Sequence, residues 1–212
     1  GYAVSASGSD WQEIYVMDIS TKKLLDDKIE WAKFSSIAWQ KDGFYYSRYP
    51  SPENGEALTG KNEFHQVWYH KVGTNQQQDL LIFEDKEHPL RTITAEVTED
   101  GRFLIVSLSE GTSGVALRVK DLSKSDAGFQ VLIPGFDTEA SVIDNVGDKL
   151  LVHTNDGAPN YKLVLIDPAQ PGRKYWQEVI AEKGEVLESV STGGGQLFAN
   201  YLKDAATLVN QH

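Results

Sequence analysis

A serine that attacks a carbonyl sits on a strained strand-to-helix turn flanked by small residues, in the pattern Gly-x-Ser-x-Gly, with a histidine and an aspartate elsewhere to activate it. That pentad does not occur in the 212 residues. Gly111-Thr112-Ser113-Gly114 comes nearest, but Val115 replaces the final glycine and a strand-like run follows where a helix is needed. This segment reads as a hairpin loop. The five histidines form no metal set. His65 and His70 lie five apart in a strand and so face opposite ways, and His88, His153 and His212 are isolated, so no metal and no cofactor is expected. Asp18, Asp121 and Asp167 recur at strand ends and read as turn residues rather than acid–base pairs. With no cysteine, disulfides, thiolate metal sites and a cysteine nucleophile are excluded.

The elements around these residues repeat. Turn doublets precede short apolar strands four times: Asp42-Gly43 before Phe44–Tyr46, Asp100-Gly101 before Phe103–Val106, Gly147-Asp148 before Leu150–Val152, and Gly194-Gly195 before Leu197–Ala199. From Phe44 the steps are 59, 47 and 47 residues, and Trp68, Leu117 and Leu163 repeat at 49 and 46. Second strands are expected at Glu13–Ile19, Gln66–Val72, Val115–Leu122 and Tyr161–Asp167, where apolar and polar residues alternate. Outer strands are expected at Asp79–Phe83, Gln130–Ile133 and Trp176–Ile180. A strand-only repeat near 47 residues is the mark of a β-propeller blade, and no helical period competes with it. The fold class expected is all-β, a partial propeller of about four blades spanning 1–212. The first pair, Tyr2–Ala6 with Glu13–Ile19, and the last, Gln196–Tyr201 with Ala206–Val209, read as incomplete blades. The polar stretch Pro50–Asn62 lengthens one repeat and is expected to be a surface loop.

A net charge of −11 argues against nucleic acid and anionic lipid, which need clustered Lys and Arg. No apolar run approaches a membrane span. The opening Gly1-Tyr2-Ala3-Val4 starts inside a strand-like segment, as expected of a piece of a longer soluble protein. Cytoplasm and periplasm both remain open.

Several stretches, in order, resemble the prolyl oligopeptidase (prolyl endopeptidase) family. They are Ser5-Ala6-Ser7-Gly8-Ser9-Asp10-Trp11, Val16-Met17-Asp18, Lys33-Phe34-Ser35 with Ala38-Trp39, Phe44–Tyr49, His65–His70 with Gly73-Thr74, Ala95-Glu96, Asp100-Gly101-Arg102, and Pro159-Asn160-Tyr161. The resemblance implies a seven-bladed propeller capping an α/β-hydrolase domain that carries the serine triad. Here only the middle of the propeller is matched. It implies a propeller that admits short proline-containing peptides to a serine endopeptidase cleaving after proline, with the hydrolase domain of the same parent chain as partner and no catalytic residue in this segment. In the family, the aromatic of the Lys-Phe-Ser motif lines the substrate pocket. That motif falls on Phe34, for which a core position is the alternative.

Two further pocket positions follow from the resemblance with departures from it. The family's mammalian members carry a Met before the Ala-Glu pair, where Thr92 or its neighbours stand here. They carry Arg and Cys around a Glu-Gly pair, where Ser109 and Thr112 stand. The turn Gly8-Ser9-Asp10-Trp11 is expected to join two strands, with Trp11 packed. A stand-alone protein-interaction propeller is the rival reading, although the repeats lack a Gly-His…Trp-Asp signature. A sugar- or metal-dependent propeller enzyme lacks any constellation repeated between blades. Apolar flanks of the end blades, such as those bearing Val4 and Phe198, predict either self-association, a symmetric dimer above all, or closure into a smaller ring.

Overall fold

The computed structural model describes residues 1–5, 9–51 and 62–212, so Ala6 of the predicted Tyr2–Ala6 strand, Gly8 of the predicted turn and most of the predicted Pro50–Asn62 loop lie outside the described residues. The chain divides into two compact units, 1–97 and 98–212.

The first unit holds β1 (Tyr2–Ser5), β2 (Gln12–Asp18), β3 (Lys23–Ala32), β4 (Ala38–Gln40), β5 (Gly43–Arg48), β6 (Gln66–Lys71), β7 (Leu80–Glu84) and β8 (Thr92–Val97). β1–β2–β3 and β4–β5–β6–β7 are antiparallel meanders, joined through the single pair Ala32↔Arg48. The second unit holds β9 (Phe103–Ser109), β10 (Val115–Asp121), β11 (Gln130–Ile133), β12 (Ala140–Val146), β13 (Lys149–Thr154), β14 (Lys162–Ile166), β15 (Gln177–Ile180), β16 (Val186–Gly193), β17 (Gln196–Lys203) and β18 (Ala206–Gln211). Here β9–β10–β11, β12–β13–β14–β15 and β16–β17–β18 are again antiparallel meanders. Two short 3-10 turns, Gln76–Gln78 and Arg173–Tyr175, are the helical segments among the described residues and interrupt the all-strand pattern predicted above.

Position within a meander explains composition. β5, β9 and β13 are buried on both faces, and accordingly their sequences are nearly continuous apolar runs rather than alternations. The outer strands β7 and β15 are largely exposed. Phe44 and Tyr46 pack with Ile14, Val16 and Ile29 in the first unit. In the second, Phe103, Leu117, Leu150 and Val164 share one cluster, and Leu151, Leu163, Leu187 and Tyr201 share another.

The turn doublets are hairpins between the first and second strands of a blade. Gly147-Asp148 and Gly194-Gly195 are two-residue turns bounded by the pairs Val146↔Lys149 and Gly193↔Gln196. Gly194 and Gly195 have φ of 56° and 77°, the left-handed pair that a tight hairpin requires. The first doublet differs from expectation. The turn there is Lys41-Asp42, with Lys41 at φ 55°, while Gly43 already pairs with Lys71 in β5. Gly43 is needed for close approach instead: a Cβ there would lie 2.1 Å from the His70 carbonyl oxygen.

Candidate functional site

Phe34 follows β3 and precedes β4. It is 55% exposed, so it is not a core residue, and its backbone is left-handed at φ 51°. Trp31 and Phe64 are also left-handed, at φ 62° each. Non-glycine residues rarely adopt this conformation and keep it only where their surroundings impose it. Those surroundings are clear for the Lys33-Phe34 step. Lys33 is 7% exposed. Its ammonium pairs with Asp10 at 3.3 Å and lies over the rings of Trp11 and Phe34, at 5.2 and 5.3 Å from their centres. Trp11 packs edge-on against Trp31 and Tyr49. The result is an exposed phenyl ring on a fixed backbone, backed by a buried cation and aromatic rings.

His65 ties this step to β8. Its Nε2 lies 2.9 Å from the Lys33 carbonyl, and its Nδ1 accepts the Ile93 N–H at 2.9 Å. One nitrogen must donate and the other accept, so the ring is the neutral Nε2–H tautomer. It stacks on Tyr49 at 4.3 Å, and Tyr49 is hydrogen-bonded to the Thr92 side chain. Thr92, the first residue of β8, is therefore joined through Tyr49 and His65 to the backbone beside Phe34. Ser109 ends β9 and pairs with Val115; Thr112 is exposed in the β9–β10 turn together with Ser113. These two belong to the second unit. Ser109 and Thr112 lie at the end of the β9–β10 hairpin away from the Asp100-Gly101 doublet.

Burial pushes the His65 pKa down from 6.5 to about 4, and the Lys33 carbonyl opposes this only in part. A folded-state pKa below the unfolded one means that the stabilisation is complete above pH 6.5 and is lost as pH falls toward 4, with about 3 kcal/mol at stake. His65→Gln, whose amide can both donate and accept, is expected to show a smaller loss of stability between pH 7 and pH 4 than the parent sequence in urea unfolding. Equal losses would contradict the buried neutral ring.

The strand-end aspartates accept backbone N–H groups two residues ahead: Asp18 from Ser20, Asp121 from Ser123, Asp167 from Ala169. Sequence reasoning missed a second histidine network. His70 Nδ1 lies 2.7 Å from Asp79, its Nε2 lies 3.0 Å from Asp27, and the Tyr46 hydroxyl donates to Asp79 at 2.7 Å. The buried Asp27 also accepts the Gly73 N–H. The odd spacing of His65 and His70 was legible, but nothing local marks Asp27 as a partner 43 residues away. Nor is His88 isolated: it pairs with Asp85 at 3.0 Å.

Residues 1–212 match the family model for the N-terminal β-propeller domain of prolyl oligopeptidase. The chain belongs to the prolyl oligopeptidase family. Its meanders are blades of that all-β propeller. A prolyl endopeptidase of Elizabethkingia meningoseptica is 44% identical over all 212 residues, which make up 30% of that relative. Prolyl oligopeptidase A of Amanita bisporigera is 36% identical over 80% of this chain and 25% of its own. Among solved structures, a prolyl endopeptidase superposes with a TM-score of 0.88 at 34% identity, over 99% of this chain and 30% of that one. Prolyl oligopeptidase B of Galerina marginata, bound to a 25-residue macrocyclization substrate, also gives 0.88 at 29% identity, over 100% of this chain and 32% of its own. The chain thus spans about 30% of the length of the prolyl endopeptidases it matches.

Proposed function

We propose that this chain is part of the substrate-gating propeller of a serine-type prolyl endopeptidase, a partial propeller domain over 1–212 without catalytic residues of its own. The observation that carries the reading is the match of every residue to the propeller domain of the family. In this reading the parent chain supplies an α/β-hydrolase domain with the serine, histidine and aspartate. The serine attacks the carbonyl carbon of the proline itself, the segment beyond leaves as an amine, and the acyl-enzyme that forms is released by water. The propeller admits short peptides and excludes folded proteins.

In this reading Phe34 and Thr92 of the first unit contact the peptide, and Ser109 and Thr112 of the second are taken separately as further contacts. Support for this comes from the exposed phenyl ring of Phe34 on its constrained backbone. The aromatic of the family motif is kept at Phe34; where the Met, Arg and Cys of the family's mammalian members give way to Thr92, Ser109 and Thr112, the contacts to the peptide differ. In isolation the segment self-associates through its end blades, since the side chains of β1 are exposed, Val4 at 43% among them.

The test compares the 212-residue chain with its full-length parent on a chromogenic Gly-Pro substrate. The parent is expected to cleave it and to be stopped by a serine-directed inhibitor, and the chain alone to leave it intact. Inhibitor-sensitive turnover by the pure chain would sink the proposal.

A further inference from the structure

A cavity of about 510 Å³ lies at one end of the β12–β14 blade, within the second unit, lined by Val115, Glu139, Ser141, His153, Tyr161 and Glu188 among others. Its polar side chains are two carboxylates, an imidazole and two hydroxyl groups, and no lysine or arginine lines it. Each is set in place by a separate local device. Glu139 is clamped at four points: its Oε1 accepts the Gly114 N–H at 2.8 Å, its own N–H donates to Asn155 Oδ1, and its carbonyl accepts from the Thr154 hydroxyl and the Asn155 N–H. Gly114 cannot be replaced without moving this clamp, because a Cβ there would lie 1.8 Å from the Phe136 carbonyl oxygen.

Glu188 is the extra residue of a bulge in β16, between the pairs Leu187↔Tyr201 and Ser189↔Asn200, and bulges re-aim side chains. Tyr161 is left-handed at φ 64° and stacks on His153 at 4.7 Å. His153 is 8% exposed, and its Nε2 lies 2.8 Å from the Leu187 carbonyl. Nε2 must therefore carry the proton, which leaves Nδ1 a bare acceptor with no partner among the described residues. Burial holds the ring's pKa below its ordinary value, against the pull of the Leu187 carbonyl, so that lone pair persists at neutral pH. Ser141 pairs with His153 across the strands and shares its face.

We propose that this cavity binds an organic cation, the ammonium or guanidinium group of a peptide. A carboxylate held by the Gly114 N–H, a second carboxylate at the β16 bulge, a lone-pair nitrogen and an aromatic ring, with no lysine or arginine in the lining, complement a group that carries several N–H donors and one charge. The preference for a cation rests on the cavity alone; that a peptide carries the cation rests on the peptidase reading. The experiment reads binding rather than cleavage, so the two stand or fall separately.

Three short peptides are titrated into the 212-residue chain by calorimetry. One has a free α-amino group and no basic side chain, one is N-acetylated with a single arginine, and one is N-acetylated without a basic residue. Binding of the first assigns an α-ammonium, binding of the second a guanidinium, and the third is expected to bind about tenfold more weakly or not at all. Glu188→Gln, on an exposed side chain that the fold does not need, is expected to weaken binding about fivefold. Glu139→Gln, which keeps an oxygen for the Gly114 N–H, is expected to do the same. Equal binding of all three peptides overturns the proposal, as does no binding at about 5 mM, or unchanged affinity in both variants.

Discussion

His70→Ala is expected to destabilise the first unit by about 3–5 kcal/mol, the cost of leaving buried charge without its partner. Both ring nitrogens of His70 face carboxylates, Asp79 at 2.7 Å and Asp27 at 3.0 Å. Each nitrogen must donate, so the ring is an imidazolium. Burial alone would lower its pKa, but the hydrogen bonds and charges of Asp79 and Asp27 together outweigh burial and raise it. Removing the ring strands two carboxylates whose side chains are 2% and 0% exposed. It also removes the link between Asp27 of β3 and Asp79 just before β7.

Tyr46→Phe takes away one donor to Asp79 and is expected to cost less, about 1.5–3 kcal/mol, as for a hydrogen bond to a charged group. Urea unfolding followed by tryptophan fluorescence gives both numbers. A drop below about 1 kcal/mol for His70→Ala would mean that the carboxylates are neutral or hydrated and that the buried imidazolium is misassigned. The pH dependence has a fixed sign. With a raised folded-state pKa, the His70 contribution is complete below pH 6.5 and fades as pH rises through the folded value. His65 behaves oppositely, its contribution fading as pH falls from 6.5 to about 4. As far as these two rings govern it, the first unit is most stable near pH 6.5.

What the sequence made legible follows from where each residue sits. The strands that follow the turn doublets announce themselves because burial on both faces demands apolar runs such as Phe103–Val106. The Gly-containing hairpins do so because their backbones need left-handed residues. The strands β4, β12 and β16, each preceding a turn doublet within its own unit, did not stand out. β4 has only three residues. In β12 and β16 the polar Asp144, Asn145, Glu188 and Ser189 break the alternation, and both strands carry bulges that shift the register.

The first doublet misled for a different reason. A glycine after aspartate suggests a turn, whereas Gly43 is demanded by the His70 carbonyl packed against it. Phe34 became a candidate through its motif, but its exposure and left-handed backbone come from packing that no local pattern encodes. The supporting His65 contacts reach 32 residues back to Lys33 and 28 forward to Ile93. They are made to main-chain atoms, which every sequence has.

Phe34→Ala in the full-length parent puts the account at greatest risk. In the free chain the ring is 55% exposed while its backbone is held by the Lys33–His65 and Lys33–Asp10 contacts. A peptide lying across it would cover that apolar surface, worth about 1–3 kcal/mol of contact, and kcat/KM should fall by about 5- to 150-fold. The loss should be greater for a longer proline-containing peptide than for a minimal dipeptide substrate, because only the longer one extends over the blade end. The measurement is kcat/KM for both substrates in the parent and in the variant, with folding checked by circular dichroism. The account predicts a clear loss that grows with peptide length. Unchanged kinetics for both substrates in a folded variant would contradict it and place the peptide's path elsewhere.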